Sequence, residues 1–199
     1  MKEIKNNQKM IVWTVLLSVF AAVEFTLFTV GHTTLKLSDT EAATSPNIVV
    51  IMADDLDVEA FNTMLGKGKL PNIKWLKDSG FDFTNSFVTR GLCCPSRATF
   101  LTGQYPHNHG VLTNSVPLGT IKKLKDSSTI ATWLDGINYY TGHIGKYLNG
   151  YGYTDINNDG KLDDLDRKYI PPGWDNWRGL LDFSTYRTYD YTINDKGTL

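Results

Sequence analysis

The chain has 199 residues, with 20 lysines and arginines against 21 aspartates and glutamates, and a formal net charge of -1 at pH 7. This balance gives no electrostatic case for nucleic-acid binding, so we expect no nucleic-acid partner. The length suits one domain with a core of its own. The two cysteines, Cys93 and Cys94, are adjacent. Adjacent cysteines seldom pair, because the closed ring is strained, so no disulfide framework is expected.

The N-terminal segment is typical of an exported protein. Three lysines precede an apolar run over residues 10–23, and apolar character resumes up to Val30. This pattern predicts a cleaved signal peptide or a retained membrane anchor over residues 1–31, followed by a polar tether over 32–45. A buried helix of the domain itself is the alternative. Because a positive flank stays in the cytoplasm, we expect the rest of the chain outside, extracellular or anchored to the membrane by this segment.

Strand and helix patterns alternate after the tether. The predicted strands cover residues 47–52, 81–88 and 139–144, and the predicted helices cover 71–79, 97–102 and 128–135. The first strand is a short β-branched run, as expected for a strand buried on both faces. Gly80 and Gly136 are stop signals for the helices before them. This order predicts an α/β fold with a mostly parallel central sheet flanked by helices.

Two carboxylates follow the first predicted strand. Asp54 and Asp55 lie at its carboxyl end, which is where open α/β sheets place their ligands. Neighbouring carboxylates repel each other unless a cation holds them, so oxygen-rich binding of Ca²⁺ or Mg²⁺ is expected. For the pair alone, a solvated turn is the alternative interpretation.

The most informative segment runs from residue 93 to residue 103 and reads Cys-Cys-Pro-Ser-Arg-Ala-Thr-Phe-Leu-Thr-Gly. It resembles the C-x-P-S-R-x-x-x-L-T-G signature of the sulfatases, and it fixes several identities at fixed spacing. The resemblance implies that Cys93 is oxidised after translation to formylglycine, with a formylglycine-generating enzyme as the maturation partner. The alternative is a buried thiol pair at the start of a helix.

The resemblance also implies a hydrolytic mechanism. A hydrated aldehyde at position 93 supplies two hydroxyls: one attacks the sulfur of a sulfate monoester, and the other later expels the sulfate. Arg97 would neutralise developing negative charge with a planar, permanently charged group. Pro95 and Ser96 predict a turn before the helix, which points position 93 into the site near the helix N-terminus.

A second match covers residues 139–148, Tyr-Tyr-Thr-Gly-His-Ile-Gly-Lys-Tyr-Leu. It looks like the second sulfatase signature, whose Gly-Lys lysine contacts the substrate sulfate, and that lysine corresponds to Lys146. A compact ammonium at a strand end suits a sulfate oxygen. Asn138 stands where the pattern often begins with glycine, and Leu148 stands where many arylsulfatases have histidine. The second departure removes one polar contact to the sulfate or leaves it to another residue.

Shorter segments point to a subgroup, the N-acetylglucosamine-6-sulfatases and the extracellular heparan 6-O-endosulfatases. The segments that resemble it are 145–149, 170–174, 189–192 and 105–111, together with Asn114. The resemblance runs from about residue 47 to residue 199 and implies a sulfated sugar or glycan as substrate, with Asn114 among the substrate-binding residues. His107 and His109 lie near the cysteine motif and are interpreted as structural, hydrogen-bonded histidines.

For the metal, the resemblance implies a calcium ion held by Asp54, Asp55 and the residue formed from Cys93. The family supplies two further ligands far downstream, and no counterpart follows within the 199 residues. We therefore expect a sulfatase N-terminal domain over residues 46–199 that is incomplete at its C-terminus. By this expectation, the chain alone holds only part of a complete active site.

Residues 155–166 fit a twelve-position calcium loop of the EF-hand or dockerin type. The expected oxygen ligands are Asp155, Asn157, Asp159, the backbone carbonyl of Lys161, Asp163 and Asp166. Gly160 permits the sharp turn at position 6, and Leu162 fills the apolar position 8. Pro171 and Pro172 leave little room for a following helix. We expect a second, structural calcium ion here; a solvated acidic turn is the alternative.

Three functions compete. The first is calcium-dependent hydrolysis of sulfate monoesters through formylglycine. The second is cleavage of phosphate or phosphonate esters, since a few members of the same superfamily use the same cysteine motif for that purpose. The third is a truncated, non-catalytic calcium-binding fragment. A comparison of sulfate and phosphate monoester turnover separates the first two.

Overall fold

The structure is a computed structural model that describes residues 45–199. The predicted export segment over 1–31 and all but the last residue of the tether over 32–45 lie outside the described residues. Between residues 45 and 199, no helix has the length and apolar character needed to cross a membrane.

Short helices and strands alternate along the described part of the chain. The helices are α1 (Val58–Gly66), α2 (Pro71–Ser79), α3 (Cys93–Thr102), α4 (Pro106–His109), α5 (Ile130–Asp135) and α6 (Asp164–Arg167). The strands are β1 (Gly142–Lys146), β2 (Asn176–Leu180) and β3 (Ile193–Asp195). Two single 3-10 turns cover Ile121–Lys123 and Ser184–Tyr186.

The sheet is small and mixed. β1 and β2 pair in parallel, from Gly142 opposite Asn176 to Lys146 opposite Leu180, and β3 pairs with β2 in the antiparallel direction. The sequence predicted a mostly parallel central sheet flanked by helices. Helices and a parallel pair are present, but the sheet of the described residues has one parallel and one antiparallel pair.

Two predicted strands do not form. Residues 47–52 and 81–88 have neither helical nor strand structure, and their apolar side chains are exposed, with Ile51 at 85% and Phe81 at 92%. A β-strand needs a neighbour that supplies its hydrogen bonds, and an apolar or alternating pattern does not provide that neighbour. The third predicted strand, over 139–144, forms as β1 over 142–146.

The predicted helices form with small changes of boundary. α2 covers 71–79 as predicted and ends before Gly80, whereas α5 starts at Ile130 and is capped by Thr129. α3 begins at Cys93, so Pro95 lies in its first turn and not in a turn before the helix. Proline is tolerated there because the first N–H groups of a helix have no intrahelical partner.

The core packs α3 against the residues that follow β1 and β2. Its buried members include Ala98, Leu101, Tyr147, Tyr151, Trp177 and Leu181. Trp177 is fully buried, and its indole N–H donates to the Tyr151 hydroxyl at 2.6 Å. Close packing of this kind leaves little freedom to shift, so the start of α3 and the end of β1 are held in a fixed relation.

Candidate active site

The first residue of α3 is the accessible member of the cysteine pair. Cys93 is half-buried, whereas Cys94 is fully buried. Burial raises the pKa of the Cys94 thiol to about 11, and a buried thiol of this kind is inert. Cys93 Sγ lies 3.7 Å from Asp55 Oδ1. Of the two thiols, Cys93 is therefore the one open to modification and to a ligand.

Asn114 holds the start of α3. Its Oδ1 accepts the backbone N–H of Cys94 at 2.8 Å, which satisfies one of the unpartnered groups of the first turn. The helix lacks a cap of its own, because its N-cap residue, Leu92, offers no side-chain hydrogen bond. The structure thus gives Asn114 a positioning role next to Cys93, and its contact with substrate stays a prediction.

Arg97 ties α3 to the end of β1. It follows Cys93 by four positions, which places the two side chains on one face of the helix. One guanidinium nitrogen donates to the carbonyl of Lys146 at 2.6 Å, and the other donates to Asp54 Oδ1 at 3.2 Å. The Arg97 side chain is only 11% exposed, so this cation is fixed in place.

Lys146 is the last residue of β1. Its ammonium donates to Asp54 Oδ2 at 2.6 Å and to the hydroxyl of Tyr186 at 3.0 Å. Burial by itself would lower the pKa of Lys146, but the hydrogen bonds to Asp54 and Tyr186 and the charge of Asp54 raise it to about 12. The site therefore contains a permanent point charge at the carboxyl end of a parallel strand.

The carboxylates of Asp54 and Asp55 complete the site. Partial burial would raise the pKa of Asp54, but Lys146 and Arg97 hold it below its usual range. Asp55 adopts a left-handed backbone conformation, with φ 53°, which is uncommon for a residue other than glycine and is often found at functional sites. The Asp54 carboxylate is thus held in its ionised form beside Lys146 and Arg97.

Asp54, Asp55 and Cys93 form a cluster with metal-ligand spacing. One ligand atom from each residue lies within 4.8 Å of the others, and within residues 45–199 this is the one such group of three or more His, Cys, Asp or Glu side chains. Carboxylate oxygens are the ligands that Ca²⁺ and Mg²⁺ prefer. The residues present therefore fit a hard divalent cation.

Sequence reasoning missed three residues beyond the strand ends, Asn149, Asp182 and Tyr186. Asp182 Oδ2 accepts the N–H of Gly150 at 2.5 Å, which joins the segment after β2 to the segment after β1. Asn149 donates to the Tyr186 hydroxyl at 2.8 Å. All three lie beyond the carboxyl ends of parallel strands, the edge where such sheets bind ligands. β2 was not predicted, so this signal was not available for Asp182 and Tyr186; Asn149 lies in the segment 145–149, but no role at the site was assigned to it.

The two histidines near the cysteine motif differ in environment. His109 is buried, and its Nδ1 accepts the backbone N–H of Val111 at 3.1 Å. Its Nε2 lies 3.1 Å from Thr99 Oγ1, so both ring nitrogens are used within the fold. His107 is exposed and stacks on Tyr105. Neither contact involves Cys93 or the carboxylates.

The predicted calcium loop is a compact turn whose carboxylates hold its own backbone. Asp155 accepts the N–H groups of Asp159 and Gly160, both at 3.2 Å. Asp166 is buried and accepts the N–H of Ile156 at 2.7 Å. Gly160 has φ 83°, a conformation that glycine adopts without strain.

Two expectations about this loop need correction. Leu162 is 43% exposed and is not one of the residues packed in or against the core cluster. A short helix, α6, begins within the loop at Asp164 and ends at Arg167; Asp163 caps it by accepting the N–H of Leu165. It has four residues, so the prolines at 171 and 172 limit it but do not prevent it.

The site thus brings together a thiol at a helix start, two carboxylates and the positively charged side chains of Arg97 and Lys146. The sulfatase family model matches residues 46–195. The extracellular sulfatase SULF-1 homolog of Drosophila melanogaster is 37% identical over 155 residues, which cover 76% of this chain and 12% of that protein. The N-acetylglucosamine-6-sulfatases of Capra hircus and Homo sapiens are each 36% identical over 157 residues, which cover 76% of this chain and 26% of theirs.

The chain belongs to the sulfatase family. It spans between 12% and 26% of the length of these relatives. No solved structure matches it significantly. Sulfatases generally use formylglycine and Ca²⁺, and the cluster of Asp54, Asp55 and Cys93 could hold a metal ion.

Proposed function

We propose that this chain carries the nucleophile side of the active centre of a sulfuric ester hydrolase that acts on a sulfated sugar or glycan. The observation that carries the proposal is the convergence of three separate segments on one point. Cys93 lies 3.7 Å from Asp55, and Asp54 lies 2.6 Å from Lys146 and 3.2 Å from Arg97. Membership of the sulfatase family supports the assignment of this point to sulfate chemistry.

The chemistry of position 93 depends on formylglycine. When Cys93 has been converted, its hydrated aldehyde provides one hydroxyl to attack sulfur and a second to assist the release of sulfate. The accessible position at the N-terminus of α3 suits this role, because the helix dipole favours negative charge there. Lys146 binds a sulfate oxygen, and Arg97 stabilises the charge that develops as the ester bond breaks.

Asp54, Asp55 and the residue at position 93 hold a divalent cation, Ca²⁺ in the first place and Mg²⁺ as the alternative. Titration calorimetry with each ion tests this. Asp55→Asn should weaken Ca²⁺ binding roughly tenfold, because it removes one charged ligand. Asp78→Asn is the matched control, since Asp78 is an exposed carboxylate paired with Lys74. Equal affinity in both variants would refute the metal assignment.

The two adjacent cysteines allow a matched test of the nucleophile. Mass spectrometry of the peptide containing residue 93 measures conversion to formylglycine, and a chromogenic sulfate ester measures turnover. In a complete version of the enzyme, Cys93→Ser should leave only trace turnover, because formylglycine is not formed. Cys94→Ala keeps a small apolar side chain in the buried position and should retain turnover. Full activity of Cys93→Ser would refute the assignment.

The substrate is proposed from the relatives. Two of them are named N-acetylglucosamine-6-sulfatase and two are named SULF-1 homologs or extracellular sulfatases, which supports a sulfated glycan as the substrate class. Turnover of sulfated glucosamine against the matching phosphate ester tests the choice. A higher kcat/KM for the phosphate ester would show that the chain serves the phosphate branch of the superfamily.

A second calcium ion in the loop over 155–166 is a separate proposal. The loop already has the glycine turn and inward hydrogen bonds that such sites need, with Asp155 accepting from Asp159 and Gly160. Ca²⁺ should protect this loop from proteolysis, and the double variant Asp155→Ala, Asp159→Ala should lose that protection. Unchanged calcium affinity of the double variant would contradict the proposal.

Export is proposed from the N-terminal sequence and from relatives named extracellular. Formylglycine-generating enzyme acts on the motif around Cys93 during maturation, and the N-terminal segment anchors the chain to the membrane if it is not cleaved. N-terminal sequencing of the secreted or membrane-bound protein separates the two fates. A cytoplasmic, unprocessed protein would contradict export.

A further inference from the structure

Tyr186 lies at this site although no sequence motif points to it. Its hydroxyl receives hydrogen bonds from Lys146 Nζ at 3.0 Å and from Asn149 Nδ2 at 2.8 Å. Ammonium and amide nitrogens donate and do not accept, so the hydroxyl oxygen accepts twice. A hydroxyl has two acceptor lone pairs and one proton. The proton of Tyr186 therefore remains free for another acceptor.

The position of Tyr186 is fixed by the turn that carries it. Ser184, in the same 3-10 turn, donates to the carbonyl of Leu181 at 2.9 Å and accepts the N–H of Thr192 at 3.0 Å. Asn149, the second donor to Tyr186, is 6% exposed. The Tyr186 ring lies over Lys146, with 4.4 Å between Nζ and the ring centroid. The hydroxyl is thus held beside the ammonium by buried groups.

We propose that Tyr186 is a substrate-binding residue, which holds the Lys146 ammonium and donates its hydroxyl proton to an oxygen of the sulfate group that Lys146 contacts. This inference rests on the proposed function, because it takes the ligand to be a sulfate group. Lys146 has three N–H donors and uses two of them in hydrogen bonds to Asp54 and Tyr186, so one N–H also remains free. The two free donors lie on atoms 3.0 Å apart and can reach two oxygens of one tetrahedral anion.

The residues that follow Lys146 offer no substitute for the Tyr186 hydroxyl. Leu148, two residues after Lys146, is 2% exposed and belongs to the core. The side chain of Asn149 is turned to Tyr186. Leu148 and Asn149 therefore offer no donor to the sulfate, whereas the turn containing Tyr186 places a hydroxyl beside Lys146.

The test measures how fast an amine-reactive reagent acylates Lys146, with and without inorganic sulfate, in the full chain. Peptide mass spectrometry reports Lys146, and the exposed Lys168 is the internal reference, since its side chain is 41% exposed. Sulfate should protect Lys146 in the wild type. In Tyr186→Phe, the half-protecting sulfate concentration should rise about fivefold, as expected for one lost hydrogen bond, at an unchanged melting temperature.

Tyr189→Phe is the matched control, because Tyr189 lies three residues away and is 80% exposed. In this variant, sulfate should protect Lys146 as it does in the wild type. An equal half-protecting concentration in Tyr186→Phe and the wild type would overturn the inference, and so would the absence of any protection by sulfate. Hydrolysis of a sulfate ester is measured beside it. If sulfate protects in a Tyr186-dependent way but a complete version of the enzyme hydrolyses no sulfate ester, the anion contact stands and the proposed function fails.

Discussion

Residues 52–92 and residues 93–199 use their apolar side chains in opposite ways. No residue between 52 and 92 is buried, and neither α1 nor α2 buries a side chain, although Trp75 lies on α2 and is 67% exposed. Residues 93–199 bury Leu148, Tyr151 and Trp177 almost completely. The second region therefore makes the core on its own, within the described part of the chain.

The two regions meet at Asp54. This residue belongs to the first region and is held by Lys146 and Arg97 of the second, at 2.6 and 3.2 Å. Partly exposed ion pairs contribute much less to stability than a buried core does. Charge therefore positions the acidic half of the site, whereas packing positions the cationic half.

The largest expected effect comes from the core. Trp177→Ala should lower the free energy of unfolding by about 3–5 kcal/mol, because it removes a fully buried aromatic side chain and leaves a cavity. The matched change Trp75→Ala, on the exposed face of α2, should cost less than about 0.5 kcal/mol. Urea denaturation measures both. Equal losses of free energy in the two variants would show that the first region is packed as tightly as the second.

The next effect is a pH dependence that belongs to the second region. His143 packs against Tyr147, Trp174 and Trp177, and burial lowers its pKa from 6.5 to about 4. The unfolded chain therefore takes up this proton before the folded chain does. His143 leaves the free energy of unfolding unchanged above pH 6.5 and lowers it as the pH falls to about 4. The loss amounts to about 3 kcal/mol.

Denaturation from pH 7 to pH 4 measures this loss, with His143→Gln as the comparison. Glutamine does not titrate, so its stability should fall less over the same range, and the remaining fall reports the carboxylates. A His143→Gln profile parallel to that of the wild type would contradict the assignment.

A smaller effect is expected where the two regions meet. Asp54→Asn removes the charge that holds both Lys146 and Arg97, so residues 52–66 should open more often. Amide exchange in α1 should accelerate roughly tenfold, as expected for one or two partly exposed ion pairs. Exchange in β2 should stay the same. Acceleration throughout the chain would show that Asp54 also supports the core.

The smallest effect concerns the start of α3. Asn114→Ala removes the acceptor for the Cys94 N–H and should lower the free energy of unfolding by about 1 kcal/mol, the usual cost of a lost helix cap. Asn108→Ala, at an exposed position of α4, is the control and should be nearly neutral. A neutral Asn114→Ala would mean that water caps this helix equally well.

Part of the fold and of the site could be predicted from local pattern. Helical spacing and a glycine stop predicted α2, and the motif from Cys93 to Gly103 marked the segment of α3. The strands over 47–52 and 81–88 were predicted wrongly. An apolar or alternating pattern indicates that side chains prefer burial, but it does not indicate which partner is available to bury them. β2 was missed for a different reason: Trp177 is flanked by polar residues, so no apolar run marks this strand.

The sequence by itself determined the family and predicted the candidate site residues, because the spacing of Cys93 to Gly103 and the Gly-Lys pair at 145–146 are properties of neighbouring positions. Only the tertiary structure decided how they are held. The ion pair between Asp54 and Lys146 joins residues 92 positions apart, and Tyr186 reaches the same ammonium from 40 positions away. Contacts over such separations follow from the packing of whole elements, which no local pattern contains.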